Sequence, residues 1–331
     1  MSLSKLTLNE FDFKFASCSA VTILGKRRTG KTTLANLVIQ KLYDAGHKRF
    51  IIFCGNKENI AEWQKIIPAL YIHGADINKL QELMDYQNKR VGDDHLDFDR
   101  MERERERRNP DYVPAEYNVP LSLQVTIVLD DLGYCTEFIK SKAMKELASN
   151  GRHSGCTTVQ ILQYITQAHI ECRDNQDYIF LLQLSNMKGI DRLWKEYVTD
   201  TCIERKIFGY VLASCTNKHG KCLVINNACP DPSIENRLRY AKIPYPPSRR
   251  MCGSQSYIRF AKQHYLAENV RVNASSRRKL EMTPRDGPLD LDQASDDIDS
   301  SIPRRLHENR KSFRDKKGNV VQIQLNHIKE D

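Results

Sequence analysis

One stretch of nine residues, GKRRTGKTT at positions 25–33, constrains the fold more than any other part of the sequence. It matches the pattern G-x-x-x-x-G-K-[ST], follows the apolar run VTIL and precedes a helical pattern with one apolar face. The glycines let backbone N–H groups turn inward around phosphate oxygens, and the helix N-terminus adds partial positive charge. The stretch therefore predicts a strand–loop–helix unit that binds a nucleoside triphosphate. The predicted binding residues are Gly25, Lys26, Arg27, Arg28, Thr29, Gly30, Lys31, Thr32 and Thr33.

Two acidic residues complete the predicted site, for which ATP and Mg²⁺ are the expected cofactors. Lys31 is predicted to neutralise the β- and γ-phosphates, and the Thr32 hydroxyl to ligate Mg²⁺. The apolar run LQVTIVLDD (123–131) reads as a buried strand that ends in a pair of aspartates. Asp130 is predicted to hold Mg²⁺ through water, and Asp131 to orient and deprotonate the attacking water. The alternative role for Asp131 is the N-cap of the following helix.

Apolar runs alternate with helical patterns along most of the chain. The runs predicted as strands are 21–24, 49–55, 123–131, 156–163 and 178–184. Residues 206–214 and 221–226 flank TNKHG and are predicted to form a closing β-hairpin, and FDFKF (11–15) a short edge strand. The alternation predicts an α/β fold with a mainly parallel sheet and helices on both faces.

Gln163 ends the predicted strand 156–163 and is a further catalytic candidate. In P-loop ATPases with a strand inserted between the loop strand and the strand of the acidic pair, a polar residue here faces the γ-phosphate. It can sense hydrolysis or hold the attacking water; a solvent-facing side chain is the alternative. A GTPase is disfavoured, because GNKEN (55–59) and TNKHG (216–220) both lack the aspartate of an N-K-x-D motif.

Composition limits the classes of protein that the sequence can encode. The chain is 40% hydrophobic and 28% charged, which is enough for a substantial core. No apolar run approaches the roughly 18 residues that a transmembrane helix needs, so we predict no membrane span. The first residues contain no apolar signal segment, which predicts that the protein is not secreted. Ten cysteines are scattered along the chain and are expected to be reduced thiols.

Charge distribution divides the chain near residue 240. The net charge of +9 suits an anionic partner. Residues 241–331 carry 18 Lys and Arg against 12 Asp and Glu, whereas the first 240 residues carry 33 against 30. We predict a P-loop ATPase domain over 1–240, with a charged helical insert at about 91–118, and a basic, largely disordered extension over 241–331. Within that extension, VQIQLNHI (321–328) alternates strictly and could add a strand to a sheet.

Four segments together resemble the poxvirus-type DNA-packaging ATPases of large DNA viruses, within the FtsK–HerA superfamily. They are GKRRTGKTT, TIVLDDLG, NGRHSGCTTVQILQ (150–163) and ECRDNQDYIF (171–180). Their order matches the family, and the resemblance covers roughly residues 10–230. The loop alone is shared by many proteins, whereas the Arg-His segment before Gln163 and the run Arg173-Asp174-Asn175 are more specific.

The resemblance implies a RecA-like P-loop core, a homo-oligomeric ring and ATP-driven translocation of double-stranded viral DNA into a capsid, without sequence specificity. It also implies capsid components as partners and a location in the host cytoplasm or viral factory, with association to the virion. Such rings complete each site with an arginine from the neighbouring subunit. Arg152 is the first candidate for that arginine and Arg173 the second; each has an ordinary surface or packing role as its alternative.

Two other functions remain open from the sequence. A helicase or recombination ATPase would share the same core and would prefer single strands. A nucleotide-binding assembly factor without turnover would share the loop, although Asp131 argues against it. No base-reading motif is visible in the sequence.

Overall fold

The computed structural model describes residues 4–109, 111–184, 186–199, 203–218, 220–231, 233–245, 249–263, 312–314 and 320–326. Within this part of the chain, eleven strands form one mixed sheet. The strands are β1 (Ser4–Glu10), β2 (Ala20–Leu24), β3 (Phe50–Cys54), β4 (Ile72–His73), β5 (Val125–Asp130), β6 (Cys156–Leu162), β7 (Tyr178–Leu181), β8 (Lys221–Asn226), β9 (Leu238–Lys242), β10 (Ser312–Arg314) and β11 (Val320–Asn326).

The strand order is β10-β11-β1-β9-β8-β7-β2-β6-β5-β3-β4. The six strands from β7 to β4 all run parallel, and β8 pairs antiparallel with both β7 and β9. Strand β6 lies between β2, which leads into the loop, and β5, which ends in Asp130. The predicted mainly parallel α/β fold with an inserted strand is therefore confirmed. Parallel strands end at the same edge, so this order gathers the ends of β2, β5 and β6.

Helices cover both faces of the sheet, as the sequence predicted. Helices α1 and α2 pack through residues such as Leu34 and Trp63 on one face, and α3, α5, α7 and α8 pack on the other. The bounds are α1 (Lys31–Asp44), α2 (Lys57–Trp63), α3 (Ile77–Arg108), α4 (Thr136–Ile139), α5 (Lys142–Asn150), α6 (Ile170–Asp174), α7 (Met187–Tyr197), α8 (Arg205–Thr216) and α9 (Ile234–Arg237).

The predicted strand over 206–214 is wrong, because these residues belong to helix α8. Phe208, Val211, Leu212 and Cys215 recur at helical spacing and are all buried against the sheet. The run is apolar enough on every side to resemble a buried strand, which hides its period of three to four residues. The closing antiparallel pair does exist, but its strands are β8 and β9.

The predicted edge strand FDFKF is also wrong, since β1 ends at Glu10. The phenylalanines at 11, 13 and 15 instead form an aromatic cluster with Tyr178 and Phe180, with ring centroids between 5.2 and 6.5 Å apart. Phe13 has a left-handed φ of 57°, which breaks the extended backbone. The alternation therefore reflects three rings that share one cluster.

Most of the predicted charged run lies in helix α3, which has 32 residues and ends at Arg108. Its outer half is fastened by Glu102, which is only 6% exposed. The Glu102 carboxylate accepts hydrogen bonds from Tyr112 Oη at 2.7 Å, the Ala115 N–H at 2.9 Å and Arg105 Nη1 at 2.6 Å. These bonds hold Tyr112 and Ala115, in the chain that follows the helix, against α3.

Parts of the predicted C-terminal extension are described and pack onto the core. The Cys252 N–H donates to the Ile66 carbonyl at 2.7 Å, and the Tyr257 ring stacks on Tyr71 with centroids 3.6 Å apart. Strand β11 pairs in parallel with β1, which confirms that the alternating segment near residue 321 adds a strand. The predicted disorder falls mainly on 264–311, which lies outside the described residues.

Among the helices of the described residues, none combines the length and the apolar character that crossing a membrane requires.

Candidate functional site

The loop between β2 and α1 is bound to the strands beside it. The Gly25 N–H donates to the Leu162 carbonyl at the end of β6, and the Lys26 N–H to the Gln183 carbonyl just after β7, each at 3.3 Å. Arg28 and Gly30 have left-handed φ values of 62° and 92°. Successive left- and right-handed residues turn backbone N–H groups toward one concave side, which is the geometry of an anion-binding loop.

Lys31 folds back over this loop. Its Nζ donates to the Lys26 carbonyl at 3.0 Å, and Thr29 Oγ1 donates to the same oxygen at 2.8 Å. Burial lowers the pKa of Lys31, while the carboxylates of Asp131 and Asp130 oppose that shift. The lysine and the two acids therefore share one electrostatic environment.

Helix α1 begins directly after the loop, at Lys31. Among the described residues, no side chain caps its first turn, and the turn contains no acidic residue. Its N–H groups and partial positive charge are thus free to meet an anion. Lys26, Arg27 and Arg28 are exposed at the outer side of the loop, and Thr32 and Thr33 are partly exposed in the first helical turn.

Gly25 has no room for a side chain. A Cβ there would lie 2.8 Å from both Leu182 Cβ and Thr29 Oγ1. We expect Gly25→Ala to lower the free energy of unfolding by about 1–3 kcal/mol, as for other overpacked positions. Gly92→Ala is the matched control, because Gly92 lies inside α3 and a Cβ added there would have nothing within 4 Å. That change should raise the free energy of unfolding by about 0.5–1 kcal/mol. Urea denaturation measures both; equal effects of the two changes would contradict the prediction.

Asp130 is 2% exposed at the end of β5. Its Oδ2 accepts hydrogen bonds from Trp63 Nε1 at 2.8 Å and Asn59 Nδ2 at 3.0 Å, and Cys54 Sγ lies 3.7 Å away. Burial raises the pKa of Asp130, and the two nitrogen donors oppose that shift because they stabilise the ionised form. Asp130 is thus a buried carboxylate held in one orientation.

Asp131 and Gln163 are in contact. Gln163 Nε2 donates to Asp131 Oδ1 at 3.3 Å, although 32 residues separate them in the chain. Asp131 has a left-handed φ of 52°, as the chain turns sharply after β5 against Gly55. Residues with such φ values are enriched at functional sites, and Asp tolerates the conformation better than most residues. The N-cap alternative for Asp131 is excluded for α4, whose N-cap is Cys135.

Oxygen ligands suited to Mg²⁺ are therefore present at the loop. Thr32 contributes a hydroxyl in the first turn of α1, and Asp130 a buried carboxylate at the end of β5, with β6 between β5 and the loop strand. Mg²⁺ prefers such oxygens and keeps several waters, which the phosphates of a nucleotide partly replace. The residues present thus fit the predicted metal.

Sequence reasoning missed three side chains that support the site. Asn59 and Trp63 hold Asp130, and Gln167 Oε1 accepts from the Gln163 N–H at 2.8 Å. All three lie outside the recognised motifs. The available signal was the apolar-polar pattern of IAEWQKII, which marks a helix but does not say which strand end it contacts.

The two candidate arginines lie away from this site. Arg152 forms an ion pair with Asp177, and its side chain remains 57% exposed. It precedes β6, whereas Gln163 follows it; at about 3.3 Å per residue, the seven residues of β6 separate them by roughly 20 Å. Arg173 is 17% exposed and pairs with Glu196 at 3.1 Å. Neither arginine is brought to the phosphate-binding loop of this chain.

A cavity of about 990 Å³ adjoins the outer side of the loop. Arg28, Gly30 and Thr33 line it on the loop side. Phe13 and Tyr245 are among its other lining residues, and Tyr245 is 90% exposed. The cavity therefore offers aromatic surface next to the phosphate-binding loop.

Comparison with known proteins gives distant relatives. No family model matches the chain. An uncharacterized protein, L437, of Acanthamoeba polyphaga mimivirus is 24% identical over 245 residues, which cover 73% of this chain and 79% of that protein.

Solved structures similar to this chain include ATPases of two kinds. The genome packaging NTPase B204 from Sulfolobus turreted icosahedral virus 2, in complex with AMPPCP, is 13% identical with a TM-score of 0.44 and covers 69% of this chain and 99% of that one. EssC (ATPases 2 and 3) from Geobacillus thermodenitrificans is 13% identical with a TM-score of 0.46 and covers 75% of this chain and 44% of that one. By its own strand order and loop geometry, this chain has a RecA-like P-loop NTPase fold with an inserted strand.

Proposed function

We propose that the protein hydrolyses ATP to translocate double-stranded DNA, without sequence preference, into viral capsids. The ATPase part is carried by one observation: the loop, Asp130 and the Asp131–Gln163 pair meet at the same edge of the sheet. The translocation part rests on the resemblance of residues 150–163 and 171–180 to the poxvirus-type packaging ATPases.

The proposed reaction is an in-line attack of water on the γ-phosphate. As the water oxygen bonds to phosphorus, Asp131 accepts a proton from that water. The bond between phosphorus and the departing ADP oxygen breaks. Gln163 is proposed to hold the water or to sense the loss of phosphate, and its contact with Asp131 supports this role. Lys31 and the N–H groups of α1 offset the charge that develops on the phosphate oxygens. Mg²⁺, held by Thr32 and through water by Asp130, would supply further neutralisation.

The nucleoside is proposed to occupy the cavity beside the loop. Thr33 follows the two residues assigned to the outer phosphates, and it lines this cavity together with Leu37. Phe13 and Tyr245 offer aromatic faces on which a base can stack. This position continues from the phosphates along the outer side of the loop.

The remaining assignments are also proposals from the resemblance. They comprise a homo-oligomeric ring, capsid components as partners, and a location in the host cytoplasm or viral factory. The net charge of +9 supports an anionic partner such as DNA. A ring also suits the position of Arg152, which is too far from its own loop to act there.

Arg152→Ala is expected to keep ATP binding and to lower hydrolysis in the assembled ring by about 100-fold, because a cation would be lost where charge develops. Mixing Arg152→Ala with Asp131→Asn subunits should restore part of the turnover, since some interfaces then combine an intact arginine with an intact acid. The measurement is steady-state ATP hydrolysis across mixing ratios.

Asp177→Asn is the control for this experiment, because it removes the charge partner of Arg152 and leaves the arginine in place. Hydrolysis should largely survive in Asp177→Asn. No rescue at any mixing ratio, together with equal losses in the two single variants, would assign Arg152 a structural role.

The test of the proposed function is ATP hydrolysis measured with and without DNA, beside the oligomeric mass. We expect linear duplex DNA to stimulate hydrolysis by a ring-sized assembly, irrespective of sequence. Equal hydrolysis with and without DNA would contradict translocation. Preferential stimulation by single strands together with duplex unwinding would indicate a helicase, and an absence of turnover would indicate an assembly factor.

A further inference from the structure

We infer that helix α2 positions the metal-binding carboxylate, and that it does so through the side chains of Trp63 and Asn59. The inference rests on the proposed ATPase function, since it takes Asp130 as a ligand of Mg²⁺ through water. Trp63 and Asn59 belong to none of the three segments recognised from the sequence, which are the phosphate-binding loop, the acidic pair and the segment around Gln163. The inference gives these two residues a role.

The two donors lie on one face of the helix. Asn59 and Trp63 are four residues apart in α2, so their side chains project from the same side. Both reach Asp130 Oδ2, at 3.0 and 2.8 Å. Helix α2 follows β3, the strand that pairs with β5, which brings this face next to the end of β5.

Trp63 is rigidly held. Its side chain is 1% exposed and packs in the apolar cluster that also contains residues of α1 and β3. An indole has a single N–H donor whose direction follows from the plane of the ring. Because packing fixes the ring, the position of the indole N–H sets the position of the carboxylate oxygen that accepts its hydrogen bond.

Two nitrogen donors on one oxygen, with the weaker Cys54 thiol at 3.7 Å beside them, determine how the carboxylate is turned. With Oδ2 held by Trp63 and Asn59, the planar group directs Oδ1 away from both donors. The second oxygen is then available in one orientation for a water of the metal ion. Groups that orient a ligand in this way typically change metal affinity by about 10–100-fold when they are removed.

The experiment compares nucleotide affinity with and without metal. Calorimetric titration of the full chain with ATPγS, in EDTA and in saturating Mg²⁺, gives the factor by which metal strengthens nucleotide binding. We expect Trp63→Phe and Asn59→Ala each to lower this factor by about tenfold, the low end of the range because the contact passes through water. The affinity in EDTA should stay within about twofold of the wild-type value, since the loop is unchanged.

Glu58→Gln is the matched control, because Glu58 is exposed on the same helix and its side chain is not among the donors to Asp130. Glu58→Gln should leave unchanged the factor by which Mg²⁺ strengthens nucleotide binding. Thermal unfolding of each variant separates positioning from stability, because a purely structural role would weaken binding in EDTA and in Mg²⁺ alike.

Trp63 also provides a direct readout. The chain has two tryptophans, so Trp194→Phe leaves Trp63 as the single indole fluorophore. Mg²⁺ with ATPγS should change its emission more than ATPγS in EDTA does, because the ion acts on the carboxylate that accepts the indole N–H.

The inference would be overturned if Mg²⁺ strengthened ATPγS binding by the wild-type factor in both Trp63→Phe and Asn59→Ala. It would also be overturned if the Trp63 emission did not respond to Mg²⁺. A wild-type protein that binds ATPγS with no help from Mg²⁺, or does not bind it, would contradict the proposed function itself. The two failures are therefore distinguishable in the wild-type titration.

Discussion

Lys31→Ala is expected to reduce ATP turnover by about 10³-fold, the upper end of the range for removing one preorganised donor from a catalytic site. The Lys31 ammonium lies back over the loop, 3.0 Å from the Lys26 carbonyl, in the space where a phosphate would be bound. Alanine removes both its charge and its donors, and the N–H groups of α1 remain. Nucleotide affinity should therefore weaken together with kcat. Steady-state hydrolysis and calorimetric titration with ATPγS measure the two effects.

Lys145→Ala is the matched control for this change. Lys145 is an exposed lysine on α5, so its removal alters the net charge by the same amount and leaves the loop intact. Turnover in Lys145→Ala should stay within about twofold of the wild-type value, as for most surface substitutions. A Lys31→Ala protein with near-normal turnover would show that the loop is not the site of ATP hydrolysis.

Asp131→Asn is expected to lower kcat by about 10²–10⁴-fold, the range for loss of a general base, and to leave the affinity for ATPγS nearly unchanged. The amide cannot accept the proton of the attacking water. It can still accept the hydrogen bond from Gln163 Nε2. Asparagine also tolerates the left-handed backbone at φ 52°, so the free energy of unfolding should change by less than about 0.5 kcal/mol.

Two comparisons make this prediction specific. Asp131→Ala places a less tolerant residue at the same left-handed φ, and it should lose stability as well as turnover. Single-turnover hydrolysis separates chemistry from product release in both variants. If Asp131→Asn kept the wild-type turnover, Asp131 would not be the general base. Its role would then be to shape the turn after β5.

Local chemistry made the loop and the acidic pair predictable from sequence. The glycines, lysine and threonine of residues 25–33 and the apolar strand before Asp130 are contiguous, so their geometry follows from a few residues each. The contact between Asp131 and Gln163 was predictable only from the strand order, because neighbouring parallel strands place their ends side by side. The sequence suggested that order through the resemblance.

Other features depend on packing between distant segments, which no local pattern specifies. Nothing in IAEWQKII states that Trp63 donates to a carboxylate 67 residues later. Helix α8 reads as a strand in the sequence because apolar residues such as Tyr210 also occupy its exposed face, which makes the helical period a weak signal. The partner of Arg152 in its own chain, Asp177, is likewise a tertiary contact.

The parallel pairing of β1 with β11 affects the order in which the protein can be completed during synthesis. Ser4 is opposite Val321, so one edge of β1 stays unpaired until the ribosome has made almost all of the described chain. An open strand edge is a template for pairing with other chains, which makes the growing polypeptide vulnerable to association. Shielding of β1 by late arrival of β11 would therefore be one of the last steps of folding, and a chaperone or an early partner could act on that edge.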